Sequence, residues 1–463
     1  RAWHLCLGGG REDNVVWIDV HQPMGPLSLD RLGLGIAPQN GARWVGECID
    51  LNDAKLEDQT LAFYYDGSLS IEGLQIRPWG LRLEVPLGAS GGKAFYDPTN
   101  WKLNLDGLGI AWQSDGVSLA AGLYWADREF IGAGVLRAGD FSLSALFAYS
   151  DDDGEPSFFG VASLGIPLGG PPVFYITKIA AGFGYNRALV TPDVTRGDAP
   201  AQVQDHFLVQ ALGDSTELAL RLGEVKDACR VKPGSYWAAA GVGFRSFGLV
   251  EGTALLYARF DAQSTFGLMG TANLQVGVPD WKILDIKLGL AAEVALGGDD
   301  PRIAVMMGIL DGSYLLHRDI SLRGQAFIGY WFARGDFLIS LGGYHKDFRP
   351  PAHYPRELTR LGFDVALGPV DITGSMYFAL TPREAMAGAS FEACGSWGPL
   401  SAGIRVHVDV LIGWDPFHYA FSAGLTIFGS IDLGFFGELE IELGSHIDVS
   451  GPRFGGRVTL ELI

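Results

Sequence analysis

Between residues 421 and 449 the sequence alternates between apolar and polar positions with a period of two. The apolar residues fall on odd numbers and three glutamates fall on even numbers: Leu439, Ile441, Leu443 and Glu438, Glu440, Glu442. Successive side chains of a β-strand point to opposite faces of a sheet, so this period is typical of a strand. The stretch therefore predicts strands with one buried apolar face and one charged face in contact with water.

Similar alternation recurs along much of the chain, with glycine-containing turn signals between the runs. The sequence has 65 glycines among 463 residues, and pairs such as Asp66-Gly67 and Asp115-Gly116 favour hairpin turns because glycine adopts positive φ. The runs predict roughly 25 strands joined mostly by short turns. We therefore predict an all-β fold, a many-stranded antiparallel meander that forms large curved or stacked sheets. The sequence does not decide whether these sheets close into a barrel.

One segment departs from the alternation and divides the chain. Residues 201–212 and 215–227 carry Gln, Glu, Leu and Ala at spacings that suit two short helices. We therefore predict a helical insert near 201–227, an N-terminal β region over residues 1–200 and a C-terminal β region over residues 233–463. The insert is taken to end at residue 232, and the two β regions are expected to form one sheet system.

The two faces of the predicted strands differ in size more than in charge. Residues 117–125 and 141–149 each have one face of large apolar side chains and a second face rich in Ser, Ala and Gly. Small side chains allow another layer to approach closely, whereas a water-filled pore would present more charge. The pattern favours sheets that are covered on both sides over a membrane barrel.

Charge and motif content exclude several classes of function. The formal net charge of −19 opposes the binding of nucleic acid, whose phosphates are also negative. No window approaches the roughly 18 apolar residues of a transmembrane helix, so a membrane would have to be spanned by a barrel or touched at its surface. An integral membrane protein is not favoured. Hydrolase, phosphate-binding and zinc-protease motifs are missing, and we predict no enzyme, no catalytic residue, no metal site and no cofactor.

The four cysteines lie far apart in the sequence and are too few for a disulfide framework. Cys6 and Cys48 form the one pair considered for a disulfide. The chain begins with Arg1 and its last residues resemble a strand, so we expect a processed chain or a piece of a longer protein.

The densest polar cluster, residues 344–356, contains two histidines and three prolines. Prolines exclude a regular strand, so the cluster predicts a rigid, shaped loop. Two interpretations stay open: a binding loop for an anion or a metal, and a crossover whose histidines bond to backbone groups. The ligand-binding candidates here are Tyr344, His345, Arg349, His353 and Tyr354.

Two aromatic clusters supply the remaining candidates. Trp414 and His418 belong to a second loop, at residues 414–419, and Tyr185 and Asn186 belong to a third cluster, at residues 182–187. Aromatic and glycine residues in β proteins pack across strands as well as binding ligands. Both interpretations are therefore kept for these four residues.

Several phrases of the sequence occur together in a recognisable order. They lie at residues 167–172, 181–187, 237–241, 343–355, 381–388, 414–419 and 451–456. This set resembles a bacterial and fungal family catalogued only as domain-of-unknown-function family 6603, over nearly the whole chain. The resemblance implies a large, β-rich protein that is part of something longer, and it implies no activity and no catalytic residue.

These observations favour a non-enzymatic structural or assembly protein, as a component of a larger or secreted assembly. The first alternative is a carrier of a hydrophobic ligand, such as a lipid, in an apolar β cavity. The second alternative is a membrane β-barrel. The expected partners are further copies of the chain, a larger protein assembly or lipid, and an extracellular or assembly-associated location is favoured.

Overall fold

The computed structural model describes residues 4–6, 10–12, 15–37, 43–45, 48–50, 60–86, 97–126, 129–152, 155–212, 228–278, 281–298, 300–432 and 438–462. Antiparallel strands make up most of these residues, and two short α-helices accompany them. The all-β antiparallel prediction is confirmed. The chain divides into two compact units, Arg1–Ile166 with Ser215–Lys226 and Pro167–Asp214 with Asp227–Ile463.

The described part of the first unit contains fourteen complete strands, most of a fifteenth, and the 3-10 turn Pro98–Asn100. The strands are β1 His4–Cys6, β2 Gly10–Glu12, β3 Val15–Met24, β4 Leu27–Ala37, β5 Arg43–Val45, β6 Cys48–Asp50, β7 Thr60–Ile71, β8 Leu74–Trp79, β9 Leu81–Pro86, β10 Lys102–Asn104, β11 Gly107–Ser114, β12 Val117–Ala126, β13 Glu129–Ala138, β14 Phe141–Asp152 and β15 Glu155–Gly169. The small sheet of β1, β6 and β5 places Cys6 opposite Cys48 in its register. In the larger sheet β7 pairs with β4 on one edge and with β8 and β9 on the other, and β11 to β15 follow as a meander.

The Asp66-Gly67 pair is predicted to be a turn, but both residues lie inside β7. Asp66 accepts a hydrogen bond from Arg31 Nε at 3.0 Å. A Cβ atom on Gly67 would overlap with the backbone of β4, so glycine here permits close pairing of strands. The chain turns instead at Glu72 and Gly73, which both have positive φ.

The second unit contains the remaining strands and both helices. They are β16 Tyr175–Leu189, α1 Ala199–Asp205, α2 Phe207–Leu212, β17 Cys229–Ser246, β18 Val250–Phe260, β19 Ser264–Val278, β20 Trp281–Leu296, β21 Arg302–Ile309, β22 Tyr314–Leu315, β23 His317–Arg323, β24 Gln325–Trp331, β25 Asp336–Leu341, β26 Leu361–Leu367, β27 Val370–Leu380, β28 Glu384–Trp397, β29 Leu400–Trp414, β30 Phe417–Asp432, β31 Glu438–Gly451 and β32 Gly455–Leu462. Two meanders, β16 to β20 and β27 to β32, lie on either side of a divided region.

In the divided region the sheet between β20 and β27 runs as two rows of half-strands. One row is β21, β24 and β25, and the other is β22, β23 and β26. Together with β20 and β27 they pair in a ring of eight strands. The chain leaves this region after β25 and returns at β26, so the loop of residues 342–360 begins and ends in the middle of the sheet.

The helices and this loop cover the same face of the sheet in the second unit. Pro200 of α1 lies against Gly289 and Gly308, where any larger side chain would collide with it. Further along, Tyr344 and Phe348 of the loop pack on a buried cluster of β27, β28 and β29. We call this side of the second unit the covered face and the other side the open face.

A row of side chains across nine strands of the covered face forms the core of the second unit. The row follows the strand register, and each apolar member is at most 4% exposed: Leu255, Met269, Ala291, Met306, Phe327, Ala379, Met386 and Leu411, with Ser340 between Phe327 and Ala379. The helices and the loop fill the space above this row. The hydrophobic core is therefore made by the two insertions rather than by a second sheet.

The large apolar side chains predicted to be buried lie on the exposed side. On β31, Leu439, Ile441 and Leu443 are 54–59% exposed. On β14 of the first unit, Phe147 is 50% exposed whereas Leu146 and Ala148 are each 1% exposed. The prediction of which face is buried is therefore wrong. In the second unit the helices and the loop of residues 342–360 pack on the opposite face, so that face is the buried one.

The helical insert agrees with the sequence in type but not in detail. The first predicted helix is two short ones, α1 and α2, while the second, at residues 215–227, lies outside the described residues. His206 separates α1 from α2. Its Nε2 atom lies 2.9 Å from the Val190 carbonyl oxygen, and its Nδ1 atom accepts a hydrogen bond from the Leu208 N–H at 3.3 Å. Burial lowers the pKa of His206 from 6.5 to about 4, so the ring is neutral.

Adjacent residues of β25 test which face holds the core. Leu338 is fully buried and Ile339 is 40% exposed. We expect Leu338→Ala to lower the free energy of unfolding by about 2–5 kcal/mol and Ile339→Ala to lower it by about 1 kcal/mol or less. Urea denaturation followed by tryptophan fluorescence measures both changes. Equal losses would contradict the assignment of the two faces.

The neutral His206 ring predicts a pH dependence of stability. Because its pKa rises to the ordinary value when the chain unfolds, the unfolded chain binds the proton first as the pH falls. His206 should have little effect at pH 7 and should reduce the free energy of unfolding by about 2 kcal/mol at pH 5. Urea denaturation at both pH values compares the protein with His206→Gln, whose amide can form the same two hydrogen bonds. Identical pH dependence in both proteins would contradict this prediction.

Candidate functional site

The loop of residues 342–360 is tied together at its neck. The Arg360 guanidinium donates hydrogen bonds to the carbonyl oxygens of Tyr344 at 2.7 Å and Gly342 at 3.2 Å. It also lies 3.8 Å from the centre of the Tyr377 ring. The Tyr344 hydroxyl donates to the Pro355 carbonyl oxygen at 2.8 Å. These bonds close the loop into a rigid unit, as the prolines predict.

His345 lies inside this loop and forms hydrogen bonds within it. It is 2% exposed, and its Nδ1 atom accepts a hydrogen bond from the Asp347 N–H at 3.2 Å. The backbone N–H of His345 donates a hydrogen bond to the Met386 sulfur, and the nitrogen and sulfur atoms are 3.3 Å apart. Burial lowers the pKa of His345. A neutral, enclosed ring that caps a turn agrees with the crossover interpretation.

His353 and Tyr354 both bind the carboxylate of Asp336 at the start of β25. His353 Nε2 lies 2.8 Å from Asp336 Oδ2, and the Tyr354 hydroxyl lies 2.7 Å from Asp336 Oδ1. Both rings pack on Trp331, with centres 4.8 Å and 5.1 Å away. Burial, followed by the hydrogen bond to Asp336, raises the pKa of Tyr354. These contacts anchor the far end of the loop to the sheet.

A cleft of about 420 Å³ opens beside the loop, and three arginines line it: Arg334, Arg349 and Arg383. Trp414 and His418 reach the same region from the next loop. Trp414 Nε1 donates to the Pro382 carbonyl oxygen at 2.7 Å, and His418 Nε2 lies 3.5 Å from Glu384 Oε1. The structure therefore brings together seven of the nine candidate residues.

Tyr185 and Asn186 lie elsewhere, since strands β17 to β24 separate β16 from β25. Asn186 has a φ of +52° at a β-bulge, and its Oδ1 atom accepts a hydrogen bond from the Gly234 N–H at 2.9 Å. The Tyr185 ring meets the Tyr236 ring edge-on, with centres 5.3 Å apart. These contacts explain the residues structurally, and ligand binding by any of the nine candidates stays a prediction.

The open face carries a pattern that the candidate loops do not. On β27 to β32 its side chains come from alternate positions in the register, such as the rows Met376, Ala389, Val408, Ala423, Ile447, Val458 and Ile372, Ala393, Ile404, Ile427, Leu443, Leu462. None of the described open-face side chains of these strands is charged, and Tyr419 and Ser445 supply the two hydroxyl groups among them. The charged residues alternate onto the covered face, where Arg405 pairs with Glu392 at 2.8 Å.

The same separation of faces occurs elsewhere in the chain. On β17 to β20 the open-face rows include Val242, Ala254, Gly270 and Leu290, while Glu293 lies on the covered face between Arg259 and Arg302. In the first unit, β13 to β15 have an exposed row of Phe130, Tyr149 and Phe158. Alternation could reveal the two faces, but only the fold shows that the apolar one is exposed.

Aromatic residues with a polar group lie near the ends of the open-face strands. In the second unit Trp281 begins β20, Trp397 ends β28 and Trp414 ends β29. Tyr330 and Tyr419 lie one and two residues from the ends of β24 and β30. Leu, Ile, Val, Ala, Met and Phe fill the positions between. Trp and Tyr are enriched where a protein surface passes from hydrocarbon to water.

Two absences hold for the residues that the structure describes. Neither α1 nor α2 has the length and apolarity that a membrane-crossing helix requires. No three His, Cys, Asp or Glu side chains in this part of the chain come close enough together to hold a metal ion.

The fold and the two faces define an all-β protein built on an amphipathic antiparallel sheet. Residues 20–463 match the family described as Family of unknown function (DUF6603). The chain therefore belongs to this family, which confirms the resemblance seen in its sequence. No curated protein and no solved structure matches the chain.

A single hydroxyl tests the structural role of the loop. Tyr354→Phe removes the hydrogen bonds to Asp336 Oδ1 and to the Phe337 carbonyl oxygen. We expect the free energy of unfolding to fall by about 1–3 kcal/mol, because buried acceptors lose their partner. The control is Tyr236→Phe, because Tyr236 is an exposed tyrosine on β17. This substitution should change the free energy of unfolding by less than about 0.5 kcal/mol. Chemical denaturation measures both free energies of unfolding. If Tyr354→Phe left the free energy of unfolding unchanged, Tyr354 would not anchor the loop to the sheet.

Proposed function

We propose that this chain is a non-enzymatic lipid-binding protein whose open face lies against hydrocarbon. The single observation that supports this proposal is the exposed, uncharged apolar surface of β27 to β32. The face is uniform in chemistry, and its Trp and Tyr residues are placed near the strand ends.

The extent of this surface makes exposure to water costly. β29 has 15 residues, and six neighbouring strands at their usual spacing give a surface on the order of 1,000 Å². Monomeric soluble proteins rarely expose apolar patches larger than a few hundred Å². At about 25 cal/mol per Å², covering even half of this surface favours association by about 10 kcal/mol before the entropic costs of binding. A partner that covers it is therefore strongly favoured.

The chemistry of the face favours lipid over protein as that partner. Protein interfaces carry about one hydrogen bond per 100–200 Å², so an interface of this size would need about five to ten. In its described residues the open face of β27 to β32 offers the hydroxyl groups of Ser445 and Tyr419 and the indole N–H groups of Trp397 and Trp414, of which the last already donates to Pro382. The rest of the face is hydrocarbon. Lipid tails require no hydrogen bonds, so they suit a surface that provides almost none.

Assembly with further copies of the chain stays a second proposal, and one observation supports it. Among the described strands β32 pairs with β31 on one side only. An edge strand with unpaired N–H and C=O groups can pair with another chain. Self-association of this kind would leave the open face uncovered unless the copies also stacked face to face.

Flotation with vesicles tests the lipid proposal. Vesicles of zwitterionic phosphatidylcholine, which carries no net charge, avoid repulsion of a chain with net charge −19. We expect the protein to float with them and the double variant Leu425→Glu/Ile427→Glu to lose at least tenfold in binding. A glutamate on a lipid-facing strand costs less than the roughly 2–4 kcal/mol of an arginine or lysine, but two of them together exceed the roughly 1.4 kcal/mol that a tenfold loss requires. Both residues are at least 40% exposed, so the variant should fold.

The matched control places the same two charges on the opposite face. Thr426→Glu/Ser390→Glu alters β30 and β28 at positions that alternate with the apolar ones, and it should float as the parent does. A parent protein that stays at the bottom of the gradient would refute lipid binding. If that protein also sedimented as an oligomer of defined size, the assembly proposal would replace it.

A further inference from the structure

A trough crosses the open face of the second unit between β17 and β21. Its volume is about 620 Å³. Two neighbouring rows of the register form its sides: Ala238, Ala258, Phe266, Val294, Ile303 and Ala240, Leu256, Leu268, Ala292, Val305. The trough runs across the strands, and its floor is the backbone between the two rows.

Alanines create this depression in a face that otherwise carries larger side chains. Ala238 and Ala240 on β17 face Ala258 and Leu256 on β18, so the β17 end of the trough is low and smooth. Phe266 and Ile303 stand 43% and 41% exposed along the first row. The shape is a channel with an apolar wall rather than a flat sheet surface.

The trough contains no polar side chain in its two rows. The carboxylate that comes nearest in sequence, Glu293, belongs to the row beneath the floor. Its oxygens lie 3.2 Å from Arg259 and 3.1 Å from Arg302 on the covered face. The floor backbone groups are bonded within the sheet ladder, so an occupant gains only apolar contact.

These properties identify the occupant by chemistry. A peptide in the trough would leave its N–H and C=O groups without partners, which costs several kcal/mol for each group. A hydrocarbon chain has no such groups. Five strands at their usual spacing span about 19 Å, comparable with a long extended fatty-acyl chain, and the volume lies in the range of small-molecule sites.

We propose that the trough binds one free fatty acid, with its chain laid across β17 to β21 and its carboxylate in water beyond the end. The two rows enclose one channel, which suits a single chain, whereas a phospholipid would bring two. The proposal rests on the lipid-binding function of the same face. It adds a discrete, saturable site to a surface that otherwise contacts lipid without fixed stoichiometry.

Titration with a fluorescent polyene fatty acid tests the site. We expect saturable binding with one molecule per chain. Ala238→Phe/Ala240→Phe fills the trough and should weaken binding at least tenfold. The control Ala387→Phe/Ala389→Phe makes the same change two residues apart on β28, also at exposed open-face positions, and should bind as the parent does.

A second variant tests the site if Ala238→Phe/Ala240→Phe fails to fold. Leu256→Asp puts a charge in the trough at a side chain that is 64% exposed, so the fold should tolerate it while fatty acid binding falls at least tenfold. Unchanged binding by both trough variants, or a parent without a saturable single site, would overturn the proposal.

Vesicle flotation of the same proteins separates this site from the wider function. Trough variants that lose the fatty acid but still float would support both proposals. If the parent protein floats but shows no single-site fatty acid binding, the trough proposal is overturned and the lipid-binding proposal stands. Leu425→Glu/Ile427→Glu lies on β30, away from the trough, and should keep the fatty acid while losing the vesicles.

Discussion

Close contact between one face of the sheet and two insertions is the constraint on which the second unit depends. The first insertion is the helix pair α1 and α2, and Pro200 can approach β20 and β21 only because Gly289 and Gly308 lack side chains. The second insertion is the loop of residues 342–360, which fills the break between β25 and β26. Because both insertions occupy the same side, all of the close packing lies there and the other side remains open.

This one-sided packing also separates the charges. Ionisable groups of the long strands alternate onto the covered face, where they pair with one another, as in the contacts of Glu293 and Arg259. The open face of β27 to β32 keeps none in the described residues. A sheet so divided is an amphipathic surface, with the ion pairs on one side and apolar side chains on the other.

The loop candidates show how far residue types can mislead. Two histidines, prolines and arginines in one segment suggest a site, and the segment is indeed a shaped loop. In the fold, His345 caps a turn, while His353 and Tyr354 hold the Asp336 carboxylate. Those partners come from residues 2 to 18 positions away, and the sequence alone gives no means to choose between them and a ligand. The feature that supports the proposed lipid binding is instead the alternation of apolar and polar residues along the strands, together with the exposure of the apolar face.

The sequence by itself determined the class of fold, the positions of most strands, the existence of a helical insert and the chemical identity of the two faces. These properties are local, because a period of two and a turn residue act on neighbouring positions. Only the tertiary structure decided which face is buried, because that depends on where α1, α2 and the loop of residues 342–360 return to the sheet. The same long-range packing moved Asp66-Gly67 from a turn into β7 and aligned alanines of β17, β18 and β20 along one trough. Such outcomes depend on contacts between residues far apart in the chain, which alternation along a single strand does not specify.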